Sequence, residues 1–198
     1  MSEGKLRRVC VFCGSNAGRR PEYAEAAREM GRVLAERGLG LVYGGGNVGL
    51  MGEVADTVLA AGGEVVGVIP EALMAREVGH AGLTQLHVVK TMHERKAMMA
   101  DLCDGFVALP GGFGTFEEFC EVLTWSQLGF HPKPCGLLNV AGYYDTLLAL
   151  FDHATAEGFV PEKHRALVIE EADPRRLLDR FAAFTPPTTT KWIRPDER

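Results

Sequence analysis

Short apolar runs of strand length alternate along the chain with segments that have the periodicity of amphipathic helices. The predicted strands cover residues 8–13, 40–43, 63–69, 104–109, 134–139 and 166–169. The predicted helices cover residues 20–37, 48–61, 91–103, 115–128, 143–157 and 174–183. Many of the strand runs lack polar alternation, which is typical of parallel strands covered by helices on both faces. The pattern therefore predicts an α/β fold with a doubly wound, Rossmann-like and mainly parallel sheet.

The length of the chain suits one domain of this kind. It has 198 residues, of which 46% are hydrophobic, and this is enough for a sizeable core. We expect this single domain to span residues 1–184. Residues 185–198, which include Pro186, Pro187 and a run of threonines, are expected to form an irregular C-terminal tail.

Charge and composition exclude several classes of protein. A formal net charge of -5 disfavours general nucleic-acid binding, which needs a basic surface. No apolar run has the length of a membrane span, and the first residues lack the apolar segment of a signal peptide. We therefore expect a cytoplasmic protein that binds neither nucleic acid nor membranes.

The cysteines and histidines do not suggest a metal centre. Cys10 and Cys13 have CxxC spacing, but they lie in a predicted strand, where positions three apart point to opposite faces. They are interpreted as small buried apolar residues. The histidines show no paired ligand pattern, and His131, in a loop before Pro132, is expected to be polar surface. We predict no metal and no cofactor.

Glycine-rich and polar segments follow three of the predicted strands, at residues 14–16, 44–47 and 110–115. Because the carboxyl ends of parallel strands meet at one edge of the sheet, where ligands bind in such folds, these segments predict a single site. The candidate binding residues of the first two segments are Ser15, Gly45, Gly46 and Asn47.

The third segment carries the strongest signal. Residues 110–118 read PGGFGTFEE and follow a predicted buried strand. The glycines allow backbone N–H groups to approach an anion, and the start of a helix favours negative charge. A carboxylate within an anion-binding turn calls for a functional explanation, so we interpret the segment as half of an active site. The candidate residues are Gly111, Gly112, Phe113, Gly114, Thr115, Phe116, Glu117 and Glu118.

The helix that follows has two apolar faces. Its predicted core stripe consists of Phe116, Phe119, Cys120 and Leu123. A second face consists of Thr115, Glu118, Val122 and Trp125. Glu118 thus has apolar neighbours, whereas Glu117 and Glu121 are expected to face solvent. With two apolar faces, the helix over residues 115–128 is a candidate homodimer interface.

Residues 44–49 read GGGNVG and contain a GxGxxG pattern at Gly44, Gly46 and Gly49. A dinucleotide site also needs an acidic residue that closes the next strand, about 20 residues further on. Glu64 has that spacing but opens its strand. We therefore favour a phosphate or ribose-phosphate cradle, with a tight turn that binds no ligand as the alternative.

Two adjacent cations lie within the apolar stripe of the helix that begins at Thr91. Thr91 and Glu94 match a capping box, which fixes this start. Arg95 and Lys96 then share a face with apolar residues, and buried cations are costly unless they are paired. A nearby carboxylate could pair with Lys96. For both cations together, an anionic ligand such as a phosphate is the favoured interpretation.

These motifs resemble those of the LONELY GUY family of cytokinin riboside 5′-monophosphate phosphoribohydrolases, whose older label is lysine decarboxylase. The family pattern PGGxGTxxE is met in full by residues 110–118, and its arginine–lysine pair is met by Arg95 and Lys96. The likeness extends from Cys13-Gly14-Ser15 to Leu137-Leu138-Asn139 and so covers most of the chain except the tail.

The resemblance implies hydrolysis of the N-glycosidic bond of a nucleoside 5′-monophosphate, typically with an N6-modified adenine, to free base and ribose 5-phosphate. It implies Arg95 and Glu118 as the catalytic pair. The implied substrate contacts are Glu77, Arg95, Lys96, the segment 112–118 and Thr124. No cofactor is implied, and plain AMP and N6-prenylated AMP share every group that these motifs recognise.

Three other functions compete with this one. A non-catalytic nucleotide-binding protein could use the same phosphate cradle, but it would gain nothing from a carboxylate there. A dinucleotide-dependent oxidoreductase is disfavoured by the position of Glu64. A lysine decarboxylase would need a lysine placed for a Schiff base with pyridoxal phosphate, and Lys96, beside Arg95, is not in such a setting.

Overall fold

A computed structural model describes residues 6–74 and 79–186 of the chain. Within these residues, seven strands form one parallel sheet. The strands are β1 (Arg8–Phe12), β2 (Gly40–Tyr43), β3 (Val65–Pro70), β4 (Gln85–Val89), β5 (Gly105–Ala108), β6 (Cys135–Leu138) and β7 (Val168–Glu171). Their spatial order is β4-β3-β2-β1-β5-β6-β7. The predicted fold class is confirmed.

Helices cover both faces of this sheet. They are α1 (Pro21–Glu36), α2 (Gly49–Ala60), α3 (Glu71–Met74), α4 (Met92–Leu102), α5 (Phe113–Leu128), α6 (Asp145–Ala156), α7 (Glu162–Arg165) and α8 (Pro174–Ala182), with a 3₁₀ turn over Val140–Gly142. One apolar cluster joins α1, α2 and α8 to the sheet, and a second joins α4, α5 and α6 to its other face. Buried residues alternate between the two clusters along β1, as a strand buried on both faces requires.

The order of the strands reverses at β1. The chain runs outward from β1 through β2 and β3 to β4, and then returns to place β5 on the other side of β1. In sheets of this kind, the loops at the reversal leave a crevice at the carboxyl ends of the two central strands. Phe12 pairs with Ala108 there, so the segments that follow β1 and β5 lie side by side.

The sequence did not predict strand β4 or the short helices α3 and α7. Strand β4 is an edge strand, and its burial is irregular because Gln85 and Val88 are exposed and only one side is paired. The last strand was predicted at residues 166–169 but runs from Val168 to Glu171, since helix α7 and its C-cap at Ala166 occupy the preceding residues.

The predicted faces of helix α5 need a correction. Its buried residues are Thr115, Phe119, Val122 and Ser126. Phe116, Cys120 and Leu123, which were predicted to form the core stripe, are only half-buried. Phe116 and Leu123 still pack against the core cluster but remain partly exposed, and with Cys120 they form the outer apolar face of the helix.

The predicted separation of the two CxxC cysteines is confirmed, because Cys10 and Cys13 lie in different apolar clusters. Among the described residues no helix is both long enough and apolar enough to cross a bilayer. Most of the predicted tail, from residue 187 onward, lies outside the described residues.

Candidate active site

Three loops lock together at the carboxyl edge of the sheet. The Gly14 N–H donates to the Pro110 carbonyl at 3.0 Å, and the Leu50 N–H donates to the Gly14 carbonyl at 3.0 Å. Gly49 has a φ of 54°, and a Cβ there would come within 2.4 Å of the Asn16 nitrogen. The three glycine-rich segments therefore lie together at this edge of the sheet, as the sequence predicted.

A cavity of about 270 Å³ lies at this reversal point of the sheet. It is lined by the loop after β1, the turn after β5, and the side chains of Tyr23, Leu50 and Tyr143. Ser15, a predicted binding residue, is exposed at its rim. The space suits a small polar group rather than a whole dinucleotide.

In the turn between β5 and α5, beside this space, the carbonyl oxygens are already engaged. The Leu109 carbonyl accepts from Tyr144 Oη at 2.6 Å, and the Pro110 carbonyl accepts from the Gly14 N–H. The Gly111 carbonyl accepts from Tyr143 Oη, and that of residue 112 accepts the first helical bond from Phe116. The N–H groups of residues 112–115 precede that first helical bond and can bind an anion.

Arg95 is buried beneath the neighbouring loops, with 6% of its surface exposed. Its Nε donates to the Val68 carbonyl at 3.1 Å and its Nη2 donates to the Gly44 carbonyl at 3.2 Å. A third contact is with Met92 Sδ at 3.8 Å. These partners are uncharged, so they fix the guanidinium without cancelling its charge.

Gly44 makes room for this guanidinium. A Cβ at position 44 would lie 2.0 Å from Arg95 Nη2. The first glycine of the GxGxxG pattern therefore accommodates an arginine rather than a dinucleotide. Nothing in the sequence connects these two positions, which are far apart along the chain.

Glu118 lies one turn beyond Thr115 on α5 and is half-buried. Burial raises the pKa of the Cys10 and Cys13 thiols, and the negative charge of Glu118 raises both further. Arg95 acts on the same Cys10 thiol in the opposite direction. Glu118 and Arg95 are therefore both within electrostatic range of Cys10 in β1.

Lys96 is held by two carboxylates of helix α5. Its Nζ lies 2.7 Å from Glu117 Oε1 and 2.9 Å from Glu121 Oε1, and its side chain is only 10% exposed. Burial lowers the pKa of Lys96, but the hydrogen bonds to these glutamates more than offset this, and the pKa is raised. Of the two interpretations of Lys96, pairing with a nearby carboxylate is therefore the one that the structure shows. Glu121, expected to face solvent, is half-buried.

The remaining predicted site residues are spread around this centre. Gly45 and Gly46 are buried, and residues 79 and 80 tie them down through an isolated bridge and a 3.1 Å bond from the His80 N–H to the Gly45 carbonyl. Asn47, Gly112, Phe113 and Gly114 are exposed. Phe113 is 92% exposed. Glu77 lies outside the described residues.

Thr124 is not brought to the glycine turn. Its Oγ1 donates to the Cys120 carbonyl at 2.7 Å on the exposed side of α5. At a helical rise of about 1.5 Å per residue, it lies about 9 Å further along the helix than Glu118. Within one chain it can contact only a distant part of a ligand that is bound at the turn.

Glu64 is at the opposite edge of the sheet from the glycine loops. It precedes β3, and its Oε1 pairs with Arg8 Nη2 at 2.7 Å at the amino end of β1. It therefore cannot hold the ribose of a dinucleotide bound at the glycine loops. His131 is buried rather than exposed, with its Nε2 2.9 Å from the Val122 carbonyl. Its role is in the packing of α5.

Two tyrosines that the sequence analysis did not single out complete the site. Tyr143 and Tyr144 lie in the loop after β6 and donate to the Gly111 and Leu109 carbonyls, respectively. Their position after a strand, at the same edge as the other loops, was the only available signal.

Comparison with known proteins identifies relatives over most of the chain. The family model described as "Possible lysine decarboxylase" matches residues 51–181. A probable cytokinin riboside 5′-monophosphate phosphoribohydrolase of Oryza sativa subsp. japonica is 53% identical over 182 residues, covering 92% of this chain and 82% of that protein. The cytokinin riboside 5′-monophosphate phosphoribohydrolase LOG of the same organism is 50% identical and covers 92% and 75%. A third, from Arabidopsis thaliana, is 47% identical and covers 93% and 85%.

Solved structures share the fold at lower identity. The molybdenum cofactor binding protein of Rippkaea orientalis has a TM-score of 0.69 and 21% identity, with coverage of 90% of this chain and 97% of that one. The molybdenum cofactor carrier protein of Chlamydomonas reinhardtii has a TM-score of 0.69 and 22% identity, with coverage of 91% and 100%. At this identity the likeness shows the architecture alone.

Proposed function

The chain belongs to the family of cytokinin riboside 5′-monophosphate phosphoribohydrolases, and we propose that it hydrolyses the N-glycosidic bond of a nucleoside 5′-monophosphate. The substrate carries adenine or an N6-modified adenine. Water adds to the anomeric carbon as the bond to the base breaks, and the departing base takes up a proton. The products are free base and ribose 5-phosphate.

The observation that carries the proposal is a glycine turn whose carbonyls at residues 109–112 are all engaged, with Glu118 on the helix that follows it. Arg95 is buried at the loop that follows the neighbouring strand β2. The N–H groups at the start of α5 bind the 5′-phosphate. Cleavage of an N-glycosidic bond develops positive charge on the ribose, as in other glycoside hydrolyses. Glu118 stabilises that charge and orients the attacking water. Arg95, whose hydrogen-bond partners are uncharged, attracts the phosphate ester and holds the ribose over Glu118.

Lys96 does not support the decarboxylase activity that the description of the matching family model suggests. Its amine is hydrogen-bonded to Glu117 and Glu121, which raise its pKa and keep it protonated. A Schiff base requires a neutral amine. An absorbance spectrum of the purified protein without a pyridoxal band would agree with this argument.

The function is tested by following both products. The purified protein is incubated with AMP or N6-prenylated AMP, and chromatography measures free base and ribose 5-phosphate. We expect the two in equal amounts. A protein that binds the nucleotide but returns it intact would instead be a non-catalytic nucleotide-binding protein. The relative rates on the two nucleotides give the base preference.

We also propose that two copies associate through the outer face of α5, and that the protein acts in the cytoplasm. Phe116, Cys120 and Leu123 on that face are only half-buried. On the adjoining helix α4, Met92 is 41% exposed. All five cysteines are free thiols, in keeping with a reducing compartment.

A further inference from the structure

The loop after β6 contacts the turn between β5 and α5 and has an unusual backbone conformation. Ala141 has a φ of 51° and is the one non-glycine with a positive φ among residues 6–74 and 79–186. Such backbone is costly for alanine and persists only where the surroundings impose it, which is often at functional sites.

Several side chains impose this conformation. Arg20 Nη1 donates to the Ala141 carbonyl at 3.2 Å. Asn139 Oδ1 accepts from the Tyr144 N–H at 2.8 Å, while its Nδ2 donates to Asp145 Oδ1 at 2.8 Å. The result is a fixed position for Tyr143, whose ring also packs edge-on against Tyr23 at 5.6 Å.

The fixed tyrosine contacts the most pliable peptide of the turn. Tyr143 Oη donates to the Gly111 carbonyl. The peptide between Gly111 and Gly112 is flanked by glycine on both sides, so little in the chain itself prevents it from turning over. If it turned over, its carbonyl oxygen would take the place of its N–H, and an acceptor would face the bound anion.

We propose that Tyr143 is a positioning residue that locks this peptide. Because carbonyl and N–H point in opposite directions across a trans peptide, holding the Gly111 oxygen on the side of Tyr143 aims the Gly112 N–H to the other side. There it donates to the phosphate of the ligand. The inference rests on the proposed function in taking that anion to be the substrate's 5′-phosphate.

The test uses Tyr143→Phe, which keeps the ring and removes only the hydroxyl. Calorimetry measures binding of ribose 5-phosphate, inorganic phosphate and free adenine to the intact protein. We expect the affinity for the two phosphates to fall by about 3- to 10-fold, the effect of losing one hydrogen bond, with adenine unaffected. In turnover, KM for the monophosphate rises while kcat is retained.

A matched control is Tyr43→Phe, at the end of β2. The Tyr43 hydroxyl is fully buried and has no hydrogen-bond partner among the described residues, so its removal leaves the turn intact. Wild-type affinity for ribose 5-phosphate is expected in this variant. A second measurement is the amide signal of Gly112, which should shift on phosphate titration in the wild type and shift less in Tyr143→Phe.

Two results would overturn the inference. One is unchanged affinity for ribose 5-phosphate in Tyr143→Phe. The other is an equal loss for phosphate and for adenine, which would mean that the hydroxyl supports the fold in general. Since binding is measured without turnover, a wild-type protein that binds ribose 5-phosphate but releases no base would contradict the proposed function and leave this inference standing.

Discussion

At the scale of single residues, the site depends on which side chain occupies the space that each glycine leaves. Gly44 leaves room for the Arg95 guanidinium, and Gly111 leaves room for Thr115 Oγ1, which would lie 2.1 Å from a Cβ. The glycine motifs were recognisable in the sequence. Their partners were not, because each partner comes from another element and is brought there only by the fold.

We predict that Gly44→Ala displaces Arg95. The added Cβ would overlap Nη2, so the fold should lose about 1–3 kcal/mol, typical of overpacking. Base release should fall by about 100-fold, as for other small misplacements in active sites. Urea unfolding and a base-release assay measure the two effects.

A double-mutant cycle shows whether the two residues act as one unit. Base release by the double variant Gly44→Ala, Arg95→Met should fall little further than in Arg95→Met alone, because the clash requires the guanidinium. Fully additive losses would show that Gly44 acts through something other than Arg95.

Glu118→Gln is predicted to reduce base release by at least about 100-fold, the usual contribution of a catalytic carboxylate. The amide keeps the size of the side chain but cannot stabilise a positive ribose. Thermal unfolding should be close to that of the wild type. The same substitution at Glu36, which ends helix α1, should leave activity unchanged. Substantial turnover by Glu118→Gln would refute the assigned role.

At the scale of elements, helices α4 and α5 supply Arg95 and Glu118 and are tied together by Lys96. The capping box at Thr91 fixes where α4 begins, with the Glu94 N–H donating to Thr91 Oγ1 at 3.1 Å, as the sequence predicted. The apolar stripe of α5 was predicted only in part, since Phe119 is buried but Phe116, Cys120 and Leu123 are half-buried. Its N-terminal turn packs against Gly111, so Thr115 is buried although it is polar. Periodicity could not reveal this, because it depends on the neighbouring turn.

Lys96→Met removes the ion pairs between α4 and α5 and should lower the free energy of unfolding by about 1 kcal/mol or more. The reason is that Glu121 loses its cation while it is half-buried. The folded pKa of Lys96 lies above its ordinary value of 10.5. Its stabilising contribution is therefore complete below that pH and is lost as the pH rises through the folded pKa.

Urea unfolding of wild type and Lys96→Met as a function of pH tests this prediction. The difference between them should be constant at neutral pH and shrink above pH 10.5. Lys163→Met, on the exposed helix α7, serves as the control and should show no such difference. A Lys96→Met difference that grows with pH would contradict the assignment of the ion pairs.

At the scale of the whole molecule, unbroken apolar runs were enough to predict the parallel sheet. The glycine segments were enough to predict the edge at which they meet. Strand β4 was not predicted, because an edge strand buries too little to show either an apolar run or a clean alternation. The contact of the aromatic loop after β6 was also not predicted, since nothing in the sequence near Tyr143 indicates that it reaches the turn after β5.

The assembly is predicted to be a dimer. Light scattering should give twice the 21.5 kDa mass of the chain. Leu123→Glu, on the outer face of α5, should halve that mass with helical content retained. Leu150→Glu, at an exposed position on α6, should leave it unchanged. A wild-type protein that elutes as a monomer at micromolar concentration would refute the interface.

We propose that one site both binds the phosphate and cleaves the bond to the base. The most direct test compares kcat/KM for AMP with kcat/KM for adenosine, which lacks only the phosphate. We expect a preference for AMP of about 100-fold or more, from two or more charge-assisted hydrogen bonds at the turn. Equal values for the two substrates would contradict it.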